Sequence, residues 1–373
     1  MNFRAPCNAT VIGSFPHAVA DDALRVIMEC VPTIPAWPQL PLYPEEQMVR
    51  QYNEGMPGLR MREDTVFFDT SQSGFEAELF EFYEEYLKAL DMEQMPFDHK
   101  LGISPVYSRG FYSLCKALAG GSYKPLAVKG QIVGPLTLAT TLTDQDKRSA
   151  YYDSRLREVV VKTLAIKAKW QIHQLRGMGV PVIIFIDEPS LSAYGSSAFL
   201  GISAEDVKND LQEIIEQIHK EGALAGIHCC ENTDWSLLIK VDPDILNFDA
   251  YGFFDRLILY AHDLRDFIMR NKILAWGIIP TGNPEDIKKE TVGSLIERWK
   301  GYVAALERLN IERKHIISQS LITPSCGTGA LTLELSERVM HLLKEVSEVL
   351  QRDYEEGEPR RLRNLSTLKI PRS

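Results

Sequence analysis

Long apolar runs are scarce in this 373-residue sequence. The longest, residues 180–186 (VPVIIFI), contains a proline and is far shorter than the ~20 residues of a bilayer-spanning helix. The first ten residues, MNFRAPCNAT, lack the apolar centre of a signal peptide, so a cytoplasmic protein with no membrane partner is expected. Cysteine is also sparse: six residues, two of them neighbours (Cys229 and Cys230), are too few for a disulfide scaffold. In a reducing compartment such cysteines serve metal binding, catalysis or core packing. Positive charge is in deficit, with 41 Lys+Arg against 51 Asp+Glu and a net charge of −10, which argues against a nucleic-acid partner. Only the last fifteen residues are basic, with five Lys or Arg and no acid. Residues 353–373 are expected to form a solvated, poorly ordered tail; an arm that docks an acidic partner is the alternative. No G-x-G-x-x-G follows the first β-rich run, where the chain reads IGSFPH, and this counts against a doubly wound dinucleotide-binding sheet.

The residues that are present alternate in period. Short β-rich runs at 9–14, 125–131, 181–188, 224–229, 245–249, 272–277 and 315–326 are separated by helical patterns, and TVFFD (65–69) reads as a weaker second strand. Between 203 and 222, Val207, Leu211, Ile214, Ile215 and Ile218 share one helical face; Ser203 with Asp206 makes a capping-box start and Gly222 a left-handed stop. Asn283 followed by Pro284 opens another helix. Eight strand–helix units at this length predict an α/β fold, a (β/α)8 barrel over residues 1–352. Residues 32–62, rich in proline and aromatics, and residues 93–123 fit no unit and are expected to be insertions over one barrel end.

In such a barrel the C-terminal ends of the strands meet at one mouth. Those ends carry Gly13 and Ser14, Asp187 and Glu188, His228 to Cys230, Asp249 and Cys326. Residues i and i+2 at a strand end point the same way, so His228 and Cys230 can share an ion with Cys326, which a Pro- and Gly-bounded turn presents. Two thiolates and one imidazole form a three-ligand zinc set with a free position, as a catalytic zinc requires. The competing reading is that these cysteines are small buried hydrophobes; Cys229 is expected to point away, and Cys7, Cys30 and Cys115 to be structural. Two thiolates offset the ion's charge, so a third thiolate there stays nucleophilic, which suits alkyl transfer to sulfur better than hydrolysis. Asp187 and Glu188 could face an ammonium group or cap a helix start. Gly13 and Ser14 could offer N–H groups to a carboxylate or form a simple turn.

VIGSFPH (11–17), VKGQIVGPLT (128–137), IDEPSLS (186–192), IHCC (227–230) and TPSCG (323–327), in this order, give the chain a resemblance. It resembles the catalytic C-terminal half of cobalamin-independent methionine synthase, in the superfamily that includes uroporphyrinogen decarboxylase and the methylcobamide:coenzyme M methyltransferases. The resemblance implies a zinc barrel that methylates a thiol, with the metal on His228, Cys230 and Cys326 and the amino-acid end of homocysteine held by Ile12, Gly13, Ser14 and Asp187. The family's further carboxylate ligand aligns loosely with Asp249, where Asp replaces Glu.

Two departures bear on the donor. The family's Asp-x-His element after strand seven, whose His assists the folate nitrogen, is replaced by GIIPTGN (277–283), and an N-terminal half that helps bind the folate tail is not expected. A folate amine needs protonation to leave and a corrinoid cobalt does not, so a methyl-corrinoid, free or protein-bound, is the expected donor. The expected activity is zinc-dependent methylation of a small thiol, homocysteine first and coenzyme M or another thiol second. A uroporphyrinogen-decarboxylase-like enzyme would need arginines near strand one, where VIGSFPH has none. A non-catalytic zinc-binding barrel would need a closed four-ligand site.

Overall fold

The computed structural model describes residues 3–121 and 123–356. Most of the basic tail, residues 357–373, therefore lies outside the described residues; residues 353–356 belong instead to the last helix, Leu333–Glu356. Among the described residues the strands are, in chain order, β1 (Asn8–Ala9), β2 (Leu59–Arg62), β3 (Thr65–Phe68), β4 (Val128–Val133), β5 (Thr143–Asp144), β6 (Val182–Asp187), β7 (Leu224–Cys229), β8 (Ile245–Phe248), β9 (Ile273–Ile279) and β10 (Ser320–Pro324). No helix among them is long and apolar enough to cross a membrane.

The apolar runs become strands buried on both faces: every residue of β4, β6, β7, β8, β9 and β10 is buried. Continuous Val, Ile and Leu suit a parallel sheet covered by helices on its outer face. Seven strands form that sheet in the order β1-β10-β9-β8-β7-β6-β4, and each pair is parallel. Chain order is thus kept along the sheet, with the last strand against the first. The connecting helices begin and end where the side chains direct. Ser203 accepts from Asp206 N at the start of helix Ala204–Lys220 and Gly222 follows with φ 73°. Asn283 caps Pro284–Lys289 through Glu285 N.

The second strand is not where the sequence placed it. Residues 65–68 do form a strand, but β3 pairs antiparallel with β2 across the Glu63–Asp64 turn and belongs to a separate three-stranded sheet. The place between β1 and β4 is taken by residues 33–39, inside the stretch read as an insertion. Thr33 O accepts from Leu126 N (2.8 Å) and Pro35 O from Lys129 N (2.9 Å) on one side; Gln39 N donates to Gly13 O (2.8 Å) and Gln39 O accepts from Phe15 N (2.9 Å) on the other. Pro35 needs no N–H here, because its carbonyl makes the bond.

Within the stretch 93–123, residues 93–102 pack on the flank of helix Ser154–Leu175, while Tyr107 and Arg109 bond to Gln51 and Glu46. That helix is buried on nearly all sides and carries Lys167, Lys169, Trp170 and His173 into this layer. Lys167 Nζ donates to Gly102 O (2.6 Å), Lys169 Nζ to Leu90 O (2.7 Å) and Trp170 Nε1 to Pro96 O (3.1 Å), while His173 Nδ1 accepts from Met95 N (2.8 Å). Buried amines are tolerable only when so satisfied.

Candidate metal centre

Strand alternation at the end of β6 separates two adjacent acids. Glu188 turns to the N-terminus of helix Pro135–Thr141, where it accepts from Leu136 N (2.8 Å), Thr137 N (3.0 Å) and Thr137 Oγ1 (2.7 Å). Burial pushes its carboxyl up to about 7 despite these bonds. Glu188 is therefore the helix-start carboxylate. Asp187 is the one that turns inward: it lies beside His228 in the β6–β7 register, lines a cavity, and its Oδ1 is buried with no hydrogen-bond partner. Burial raises its carboxyl, opposed by the charges of His228 and Lys129.

His228 and Cys230 follow one another on the inner face at the end of β7. Cys326 comes from the turn after β10, anchored by Ser325 N donating to Ile279 O at 2.8 Å. One nitrogen of His228 and the sulfurs of Cys230 and Cys326 lie within 4.8 Å of one another. A tetrahedral zinc with ~2.3 Å bonds sets its ligand atoms roughly 3.7 Å apart, so a small inward adjustment closes the set. The donors are those zinc prefers, and His228 Nε2 is buried and unpartnered, so the residues fit the ion.

The three groups lie close enough to influence one another's protonation. The Cys326 thiol's hydrogen bond, against burial and together with His228, holds Cys230 below the usual thiol range, and Cys326 itself is pushed well up. Two sulfurs with one proton between them behave as a pair. Burial opposes the imidazolium of His228, but the nearby Cys230 sulfur and the charge of Asp187 outweigh it, and its pKa is raised. Cys229 faces the other way, is buried, donates to Glu231 O at 3.5 Å, and is pushed up to about 12. Cys7, Cys30 and Cys115 are buried.

The cavity beside these groups has a volume of about 330 Å³. Its walls include Ile12, Ser14, Asp187, His228, Cys230 and Cys326, and also Gln39, Pro41, Glu46 and Met48 from the stretch read as an insertion. Gln39 and Glu46 carry no motif; their only sequence signal was a polar residue within a proline- and aromatic-rich stretch. Glu46 secures this wall: its carboxylate accepts from Leu40 N (2.8 Å), Arg109 N (3.0 Å) and Arg109 Nη1 (3.1 Å).

Gly13 is fixed by sterics. At φ 155° a side chain there would sit 2.5 Å from Gln39 Oε1 and 2.9 Å from Gln131. Ile12, expected to help hold the amino-acid end of the substrate, lines the cavity, and its carbonyl accepts from the buried Lys129 Nζ at 2.6 Å. Ser14 lines the cavity, and its carbonyl accepts from Thr328 N at 2.9 Å. Asp249 caps helix Ala250–Leu257 by accepting from Gly252 N at 2.8 Å, and burial lifts it to about 6. The metal-capable group among the described residues comprises His228, Cys230 and Cys326 without it.

No family model matches this sequence, and no curated protein does. Solved structures that resemble it include L-ribulose 3-epimerase, at 12% identity and TM-score 0.38, over 80% of this chain and 95% of that one. A xylose isomerase-like TIM barrel/4-hydroxyphenylpyruvate dioxygenase fusion protein has 12% identity and TM-score 0.32, over 69% of this chain and 42% of that one. Fungal β-1,4-galactanases have 13% identity and TM-score 0.34, over 69% and 90%.

Proposed function

We propose that this chain is a cytoplasmic, zinc-dependent S-methyltransferase built on an eight-membered (β/α) barrel, in which residues 33–39 complete the ring of strands. His228, Cys230 and Cys326 would hold the metal. One observation carries the reading: two sulfurs and an unpartnered imidazole nitrogen converge on a small cavity that also contains an unpaired carboxylate. Bound there, zinc supplies the positive charge that keeps a thiol deprotonated near neutral pH.

The acceptor is a small amino thiol, homocysteine first, and the product is then methionine. Asp187 lines the cavity and its buried Oδ1 accepts no bond from the protein, so its carboxylate is the group to meet the ammonium. Gln39 presents a second acceptor. Gln51 Nε2 donates to Tyr107 O (2.7 Å), which turns Gln51 Oε1 toward Gln39 Nε2 (2.6 Å); Gln39 Nε2 also donates to Tyr52 OH (3.1 Å). Both amide protons of Gln39 are thereby engaged, and Oε1 is left to accept. In the transfer a carbon–sulfur bond forms, the donor–methyl bond breaks with its electron pair kept by the donor, and the thiol proton passes to solvent.

The donor is a methyl-corrinoid, free or carried by a partner protein. Segment 277–283 offers a departing amine no acid; its Thr281 hydroxyl is bonded to Ser325 Oγ at 2.9 Å. A cavity of about 330 Å³ admits the thiol but not a corrin ring, so the methyl group is presented from outside the mouth. The test is to incubate zinc-loaded protein and homocysteine with methylcobalamin or with methyltetrahydrofolate and measure methionine. Methionine from the corrinoid alone is expected. Turnover with folate alone overturns the donor, and none with either donor overturns methylation of homocysteine from a free donor.

A further inference from the structure

Asn247 is the polar residue in an otherwise apolar run of β8, and none of the motifs singled out in the sequence contains it. It is fully buried. Its Nδ2 donates to Ala275 O (2.8 Å) on β9 and to Thr323 Oγ1 (2.8 Å) on β10. A backbone carbonyl can only accept, so the amide has one allowed orientation and Oδ1 must face the other way. What it faces is Nδ1 of His228. Since Oδ1 can only accept, Nδ1 must carry the proton. The neutral imidazole then has its lone pair on Nε2, the buried nitrogen with no partner, beside Cys230 and Cys326.

We infer that Asn247 is the positioning residue of this centre: it selects the Nδ1–H tautomer of His228 and fixes the plane of the ring, so that Nε2 is the ligating atom. One amide thereby ties the strand bearing His228 to β9 and to β10, three residues before Cys326 in the chain. The histidine ligand and the strand feeding the second sulfur move together. An imidazole free to rotate or to change tautomer would present Nε2–H, which cannot ligate. Outer-shell partners of metal-bound histidines are worth 10–100-fold in affinity by this route. The inference rests on the metal reading above, but concerns a residue that touches neither metal nor substrate.

The test uses the full chain. Zinc affinity is measured by chelator competition for wild type, Asn247→Ala and Asn247→Asp, and the His228 nitrogens of the zinc-loaded wild type are observed by long-range 15N–1H correlation. Expected are a protonated Nδ1 and a metal-bound Nε2, a loss of about 10–100-fold in affinity for the alanine variant, and a smaller loss for the aspartate variant, which keeps the acceptor but not the bond to Ala275 O. A purely structural asparagine would lower thermal stability in both variants without this split. Metal on Nδ1 in the wild type, or zinc affinity in Asn247→Ala within about threefold of wild type, overturns the inference. The wild-type spectrum decides the matter even if the alanine variant does not fold. Failure of the wild type to take up zinc overturns the metal reading itself, and is thus distinct from failure of the asparagine's role.

Discussion

Within the site, individual side chains have separable tasks. Gln39 and Asp187 are proposed to read the ammonium of the acceptor, the former through an oxygen whose orientation the Gln51 and Tyr52 bonds dictate. Gln39→Leu should weaken homocysteine binding about tenfold and leave its des-amino analogue, 4-mercaptobutanoate, nearly unchanged. Calorimetric titration of both thiols checks this; equal losses for the two would refute the role. Lys129 gives a pH signature. Burial, only partly offset by Asp187, lowers its amine from 10.5 to about 7. Between those values the unfolded chain holds the proton and the folded chain does not, so this residue's contribution to stability rises with pH across the window. The melting temperature of wild type relative to Lys129→Met should therefore increase from about pH 7 to about pH 10. A difference independent of pH would show that the amine titrates normally.

Among the elements, close backbone approach decides what can change. Helix Arg109–Ala119 meets the segment that bridges β1 and β4 at Gly110, where a Cβ would lie 1.9 Å from Pro38 O. Gly110→Ala should destabilise by ~1–3 kcal/mol, read as a drop of several degrees in melting temperature. Gly301, inside helix Val292–Glu307, has nothing within 4 Å of such a Cβ, and Gly301→Ala should instead stabilise by ~0.5–1 kcal/mol. Loss of that contrast would mean the close contact at Gly110 can relax. The same scale explains what could be read from sequence. Runs such as VIIFID, and caps such as Ser203 and Asn283, state their structure locally, and strand-end spacing brought His228, Cys230 and Cys326 together. Residues 33–39 could not be recognised, because Pro35 and Pro38 argue against a strand unless one knows that it bonds through carbonyls. TVFFD was misassigned for the opposite reason: its β pattern is real, but only the Glu63–Asp64 turn reveals its partner. Asn247 and Gln39 stayed hidden because their meaning lies in contacts with residues far along the chain.

For the whole molecule, the parallel sheet brings Asp187, His228, Cys230 and Cys326 to one cavity of about 330 Å³, which in the proposed reading takes the acceptor and leaves the donor outside. This division of labour needs the metal. The most direct measurement is metal analysis with X-ray absorption of wild type and Cys326→Ser, with and without homocysteine. We expect stoichiometric zinc bound through the two cysteine sulfurs and His228, one further sulfur on addition of the thiol, and weaker, sulfur-poorer binding in the variant. Wild-type protein without stoichiometric zinc, or a coordination sphere that homocysteine leaves unchanged, would contradict the account.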